Sequence, residues 1–456
     1  MDTAIAARAV GGSVIGAAVP FVRVTTDTRA LAPGDLFVAL KGERFDGHDF
    51  VAQALARGAA AALVERSRAS SLRGNLIAVD DPLRSLAALA TFWRARFDIA
   101  VAVVVGSNGK TTTKEMIAAV FRSAEGSDAV AATPGNFNNA IGLPLAILAM
   151  RSTHRLAVFE IGMNHRGETR ELASIARPTI AVITNAQREH QEFMQSVDQV
   201  AAEHADAIHA LSPGGTAVIN ADDPRAAVWR SAAATANARI SSFALDHAAD
   251  FRARFESEAD GEAVELHTPT GEARVLLQVP GRPMVRNALA AAAVAHAAGL
   301  TLTAIVEGLA AFRPVRGRLV TSVTPAGLTV IDDTYNANPD SMRAAIDVLA
   351  VRPAPRWLVI GDMGEVGAAG PEFHREIGAY ARAAGVERMI GAGDLAREAV
   401  QAFGADAVHF QSVDDLIRGV TAEVQAGVTI LVKGSRFMRM ERVVDALLGQ
   451  ARGGAH

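Results

Sequence analysis

The chain has 456 residues, half of them hydrophobic and only 5% aromatic. At roughly 100–200 residues per domain, that length makes two to four domains, each able to bury a core. Acidic and basic residues nearly balance, 49 against 45, which speaks against nucleic-acid binding, and the absence of cysteine excludes disulfides and thiolate metal sites.

The first twenty residues lack a basic segment followed by a long apolar run, and no stretch reaches about 18 uninterrupted apolar residues. These features predict a cytoplasmic protein without membrane insertion. Residues 1–96 mix short strands and helical stretches. TTDTRALAPGDLFVALKG reads as strand, turn, strand, with Pro33-Gly34 at the turn. VAQALARGAAAALVE reads as a helix leading into a strand.

The pattern changes at Ile99. IAVAVVV (99–105) is a continuous apolar run of strand length, as in a parallel sheet covered on both faces. LAVFEI (156–161), TIAVIT (179–184) and TAVIN (216–220) follow as further strands between helical patterns. Residues 236–280 are richer in polar β-like stretches and predict antiparallel strands. From Arg313 onward LTVIDD, RWLVIGD, RMIGA and TILVKG form another α/β unit. The fold class is α/β with three domains. They are a small mixed domain over 1–96, a central parallel-sheet phosphate-loop domain over 97–313, and a Rossmann-like unit over 314–456.

VVVGSNGKTTTKE (103–115) carries the strongest local signal. A buried strand runs into Gly106, Ser107, Asn108, Gly109, Lys110, Thr111 and Thr112, and a helix follows. Glycines let backbone N–H groups turn inward around phosphates, and the helix start adds partial positive charge. Lys110 is placed to reach the outer phosphates, and the Thr111 hydroxyl to ligate Mg²⁺. Val104 stands where the longer Walker pattern has its first glycine, so the motif is the shorter GxxGKT form.

In such sheets ligands bind beyond the carboxyl ends of strands. Glu160 and His190 lie there and are candidate Mg²⁺ partners, although Mg²⁺ prefers oxygen to nitrogen. Taken singly, each is an ordinary solvated strand-end residue; the phosphate loop beside them is what joins them into a site. His204 falls on the apolar face of a helix that includes Val197, Val200, Ile208 and Leu211, where histidine is usually a hydrogen-bonded core residue. In the third segment Asp332, Asp333, Asp362, Lys433 and Arg436 collect at strand ends, and Thr334 to Asn338 form a dense polar turn.

GSNGKTTTKE, TPGNFNNAIGLPL (133–145), EIGMNHRGE (160–168), RNALAAAA (286–293), VRGRL (315–319), DDTYNANPDS (332–341), GDMGEVG (361–367) and LVKGSR (431–436) resemble the Mur ligases in order and spacing. TDTR (26–29) and GDLFVALKGERFDGHDF (34–50) resemble the nucleotide-substrate domain of that family. The resemblance covers nearly the whole chain. It implies an ATP-dependent ligase of peptidoglycan precursor synthesis, acting as a monomer with ATP and Mg²⁺. Its substrates would be a UDP-N-acetylmuramoyl tripeptide and D-alanyl-D-alanine, joined through an acyl phosphate. NFNNAIGLPL, DDTYNANPDS and GDMGEVG point to that dipeptide acceptor, and the DNPR-type motif of the ligase adding the third amino acid is absent.

Carried over residue by residue, the resemblance implies that Thr28 and Arg29 hold the UDP-sugar in the first domain. Thr133, Asn136, Asn138 and Asn139 line the muramoyl-peptide side, joined by Tyr335, Asn336, Asn338 and Lys433. Asn287 and Asp333 contact the nucleoside and Arg318 the phosphates. Lys110, Glu160 and His190 are the catalytic set, and Thr111, Glu160, His190 and His204 the metal set. Two departures stand out. Pro283 and Met284 replace a His-Asn pair, and His204 occupies the place of a carbamylated lysine that braces a second Mg²⁺ in the family. The competing readings are another ligase of the superfamily, such as a folylpolyglutamate synthase, and a nucleotide-switch protein that uses ATP only to change shape.

Overall fold

The computed structural model describes residues 1–258 and 261–449. Three sheets follow one another along the chain. In the first, Ser13–Ile15, Leu76–Val79, Ala61–Glu65, Leu36–Val38 and Val24–Thr25 lie side by side. Only the pairing of Ser13–Ile15 is antiparallel among these. Because Val24–Thr25 and Leu36–Val38 run parallel, the Pro33-Gly34 stretch belongs to a crossover and not to a hairpin.

The second sheet has nine strands. Ala100–Val105 lies between Leu156–Glu160 and Ile180–Ile183, parallel to both. Its unbroken apolar run serves two cores. Ala102 and Val104 pack beneath helices Lys110–Glu125 and Arg282–Ala297, and Val101, Val103 and Val105 pack beneath Gly142–Leu148, Glu168–Ala176 and Val197–His209. A strand buried on both faces cannot alternate apolar with polar residues. The antiparallel expectation for 236–280 holds only in part. Arg239–Ala244 runs parallel to Thr216–Asn220, and the antiparallel meander comprises Phe251–Glu258, Gly261–Thr268 and Gly271–Leu277.

The third sheet orders Val320–Val323, Thr329–Asp333, Thr429–Lys433, Arg356–Gly361, Arg388–Ala392 and Ala407–Phe410. All neighbours except the first pair are parallel. The register sets Asp333 beside Lys433 on adjacent strand ends. The two edge strands were not foreseen; their residues are half-buried or exposed and leave no continuous apolar run.

Candidate active site

A cavity of about 840 Å³ opens where strand ends of the second and third sheets face each other. The phosphate loop forms one wall. Gly106 has φ 133°, and a Cβ there would lie 2.0 Å from Thr184 Oγ1; Gly109 has φ 83°, and a Cβ would lie 2.5 Å from Asn287 Oδ1. Both positions therefore require glycine. Ser107 N donates to Asn185 O (3.0 Å) and Asn108 N to Asn185 Oδ1 (2.9 Å), which pins the loop to the end of strand Ile180–Ile183. Helix Lys110–Glu125 starts at once. Lys110 folds back over the loop, donating to Gly106 O (2.5 Å) and Ser107 O (3.2 Å), with Glu189 Oε2 at 3.5 Å. Ser107, Asn108, Gly109, Lys110, Thr111 and Thr112 face the cavity, and Gly106 sits behind them as the hinge of the turn.

Glu160 ends strand Leu156–Glu160 at the cavity wall. Asn138 Nδ2 donates to its Oε1 (2.8 Å), while Oε2 is buried without a partner. Asn136, Asn138 and Asn139 line the same side. Thr133 does not: it is buried behind Glu160, where its hydroxyl accepts from Glu160 N (2.9 Å) and its carbonyl from Lys114 Nζ (2.9 Å). The resemblance implied a lining residue here, but this one braces the Glu160 backbone from within. Thr28 and Arg29 also lie outside this cavity, on a surface turn of the first sheet, with Arg29 paired to Asp27 (2.8 Å).

The third sheet supplies the opposite wall. Lys433 Nζ donates to Asp333 Oδ2 (2.6 Å) and to Asn336 O (2.9 Å). Burial pushes the Asp333 carboxyl up, against the pull of Lys433. Arg318 reaches across to donate to Thr111 Oγ1 (2.8 Å), and its guanidinium lies 4.1 Å from the Tyr335 ring centre. The Asn338 amide donates to Asn108 Oδ1 (3.0 Å). Asn287 lines the cavity together with Pro283, Met284 and Arg286.

Three of the four expected metal ligands, Thr111, Glu160 and His190, line the cavity. Among the described residues no group of three or more His, Asp or Glu stands in metal-holding geometry. His190 has φ 47° and lies with Nδ1 2.5 Å from Glu365 Oε2. His204 is on the inner face of its helix, as the period predicts, but does not line the cavity. Glu189 stands in front of it, with Oε1 3.2 Å from His204 Nε2. Sequence reasoning passed over Glu189. Burial alone would raise its carboxyl, yet Lys110, His204 and His190 together hold it down at about 2. An acidic residue directly before His190, just past a buried strand, was the available signal.

Arg188 ties the two walls together. Its guanidinium donates to Asp340 Oδ1 (2.7 Å) and to Glu376 Oε1 (3.0 Å) and Oε2 (2.7 Å), and its backbone N donates to Asp340 Oδ2 (2.8 Å). Hydrogen bonds to charged groups contribute about 1.5–3 kcal/mol each. Arg188→Ala is expected to loosen the third sheet from the second and to increase the radius of gyration of the ligand-free protein in small-angle X-ray scattering. An unchanged scattering profile would show that the latch does not hold the two units together.

The chain matches family models described as Mur ligase family, catalytic domain (residues 21–94), Mur ligase middle domain (104–295) and Mur ligase, glutamate ligase domain (316–436). It is 40% identical to the UDP-N-acetylmuramoyl-tripeptide–D-alanyl-D-alanine ligase of Escherichia coli, with 96% of each chain covered. Against the ligase of the same name from Bacillus subtilis, identity is 35% with 93% of each covered. Among solved structures it is similar to MurF from Acinetobacter baumannii, with a TM-score of 0.90, 32% identity and 98% of each chain covered. It also resembles MurF ligase from Thermotoga maritima in complex with ADP, with a TM-score of 0.83, 28% identity, and 94% of this chain and 97% of that one covered. Full-length identity at this level, on the same three-sheet framework, makes this chain a member of the Mur ligase family.

Proposed function

We propose that this protein uses ATP to join D-alanyl-D-alanine to UDP-N-acetylmuramoyl tripeptide, in the synthesis of peptidoglycan precursor. The carrying observation is the full-length identity to ligases of that name, coupled to a cavity that sets a phosphate loop against a buried carboxylate and a cationic wall. We assign the UDP-sugar to residues 1–96, with Thr28 and Arg29 on its edge, ATP to residues 97–313, and the closing wall to residues 314–456.

The terminal carboxylate of the tripeptide attacks the γ-phosphorus; an O–P bond forms, the β–γ bridge breaks, and ADP leaves. The amine of the dipeptide then attacks the acyl carbon, loses a proton, and phosphate departs. An anion attacking an anion is the main barrier, and fixed positive charge lowers it. Lys110 carries that charge to the phosphates, and Arg318 adds to it from the third sheet. Asn136, Asn138 and Asn139 orient the peptide side, Tyr335, Asn336, Asn338 and Lys433 form the opposing surface, and Asn287 and Asp333 face the nucleoside. Closure by Arg188 and by the Asn108–Asn338 contact excludes the water that would hydrolyse an acyl phosphate.

Mg²⁺ fits this site. Glu160 Oε2 is a buried, unpartnered oxygen on the cavity wall, and Thr111 and His190 line the same cavity. Bound there, the ion neutralises phosphate charge. Amine acceptors compared side by side in a coupled ADP-release assay test the reading. D-alanyl-D-alanine is expected to exceed L-alanine, D-glutamate and diaminopimelate by at least about 100-fold in kcat/KM. Comparable rates with a single amino acid would assign the chain to another ligase of the family. ATP turnover without either co-substrate would favour a nucleotide switch.

A further inference from the structure

Glu189 is a buried anion whose oxygens meet few and long contacts. Removing a carboxylate from water costs several kcal/mol unless its oxygens find partners. Glu189 Oε1 has only His204 Nε2, at 3.2 Å, and its Oε2 only the long contacts to Lys110 at 3.5 Å and to His190. Glu203, by contrast, on the helix behind, is satisfied as a cap, accepting from Gly167 N and Thr169 N at 2.9 Å each. Glu189 instead faces the cavity, with His190 Nε2 3.8 Å from its Oε2.

His204 is equally unlike a packing histidine. Its Nδ1 is buried without a partner, and its Nε2 meets only Glu189 Oε1, at 3.2 Å. The chain holds an ordinary core histidine for comparison. His374 accepts from Met363 N at 3.0 Å through Nε2 and contacts Gly370 O at 2.7 Å through Nδ1. The neighbour His204 has is the Glu189 carboxylate, which stands between it and the cavity.

The distances suit a shared cation. Ligands on an octahedral Mg²⁺ at about 2.1 Å stand about 3.0 Å apart when cis and about 4.2 Å when trans. The 3.8 Å between His190 Nε2 and Glu189 Oε2 exceeds the cis spacing and falls short of the trans one, so a small side-chain movement brings the two atoms to cis positions. The left-handed backbone at His190 turns two consecutive side chains toward one place, which an extended chain would point apart. Lys110, now 3.5 Å from Glu189 Oε2, is the group that a cation there would displace.

We propose that Glu189 is an oxygen ligand of the divalent cation that accompanies ATP, bound next to His190, and that His204 is a positioning residue that holds Glu189 and touches no metal. A hard cation gains an anionic oxygen in this way, where a direct His204 contact would offer neutral nitrogen. The inference rests on the ATP-ligase reading above.

Mn²⁺ with ADP is the probe, with free Mn²⁺ read by electron paramagnetic resonance and bound imidazole by ¹⁴N echo modulation. ADP affinity in EDTA and thermal unfolding report the fold of each variant. Glu189→Gln is expected to weaken Mn²⁺ binding by at least about tenfold, with ADP affinity in EDTA no weaker than the parent's. Glu189→Asp, which keeps the charge on a shorter arm, is expected to fall between parent and Glu189→Gln. The ¹⁴N signal should vanish in His190→Gln and persist in His204→Gln. Parent-like Mn²⁺ affinity in the folded Glu189 variants, or loss of the ¹⁴N signal in His204→Gln, overturns the inference while leaving the ligase reading intact. Failure of the parent itself to bind Mn²⁺ with ADP overturns both.

Discussion

Lys110→Ala is expected to lower turnover by about 10³-fold while the protein remains folded. Its ammonium sits over the loop that would cradle the phosphates, held by the carbonyls of Gly106 and Ser107. Ser107 borders the cavity, so its carbonyl can turn to water once the lysine is gone. The catalytic loss is larger than the structural one. A single fixed donor aimed at developing negative charge contributes about 10²–10³ in rate, and this donor also carries a full charge. Stability should fall modestly, because Glu189 loses its nearest permanent cation and keeps only His190 and His204. Turnover of ATP with both co-substrates, measured beside thermal unfolding, checks the expectation. Near-parent turnover in folded Lys110→Ala would remove the lysine from the phosphate site.

The phosphate loop could be read from the sequence because everything that defines it is local. A strand buried on both faces, two glycines and a helix start are consecutive, and the contacts of Gly106 and Gly109 give the spacing its physical reason. The same holds for Asp333 and Lys433, whose strand-end positions were visible although their parallel register was not. Glu189 was hidden for the opposite reason. Its importance comes from Lys110, His190 and His204, which belong to a phosphate loop, a strand-end turn and a helix, and no local pattern displays that convergence. Helical period put His204 inside, but a period cannot say which group an inward side chain meets. Thr133 differs in the same way: the resemblance implied a lining position, while the pairing of Val130–Ala132 with Leu156–Glu160 turns it inward behind Glu160.

Lys433→Met is expected to destabilise the third sheet by about 3–5 kcal/mol. Lys433 and Asp333 are neighbours across two central parallel strands, and their side chains are almost wholly removed from water. Breaking such a pair by removing one partner costs far more than the pair contributes, because the remaining charge stays buried. Methionine keeps most of the lysine volume, so the loss is electrostatic and not a cavity effect. Lys433 Nζ also holds Asn336 O, so the polar turn 334–338 and its contact with the phosphate loop should loosen as well. The double variant Lys433→Met with Asp333→Asn should recover part of the loss, since the stranded anion is gone. Hydrogen exchange across Thr329–Asp333 and Thr429–Lys433 reads the effect locally, and 3 kcal/mol corresponds to roughly a hundredfold faster exchange. Exchange within about threefold of the parent, or no recovery in the double variant, would show that the pair is solvated and that the opposing wall is held by other contacts.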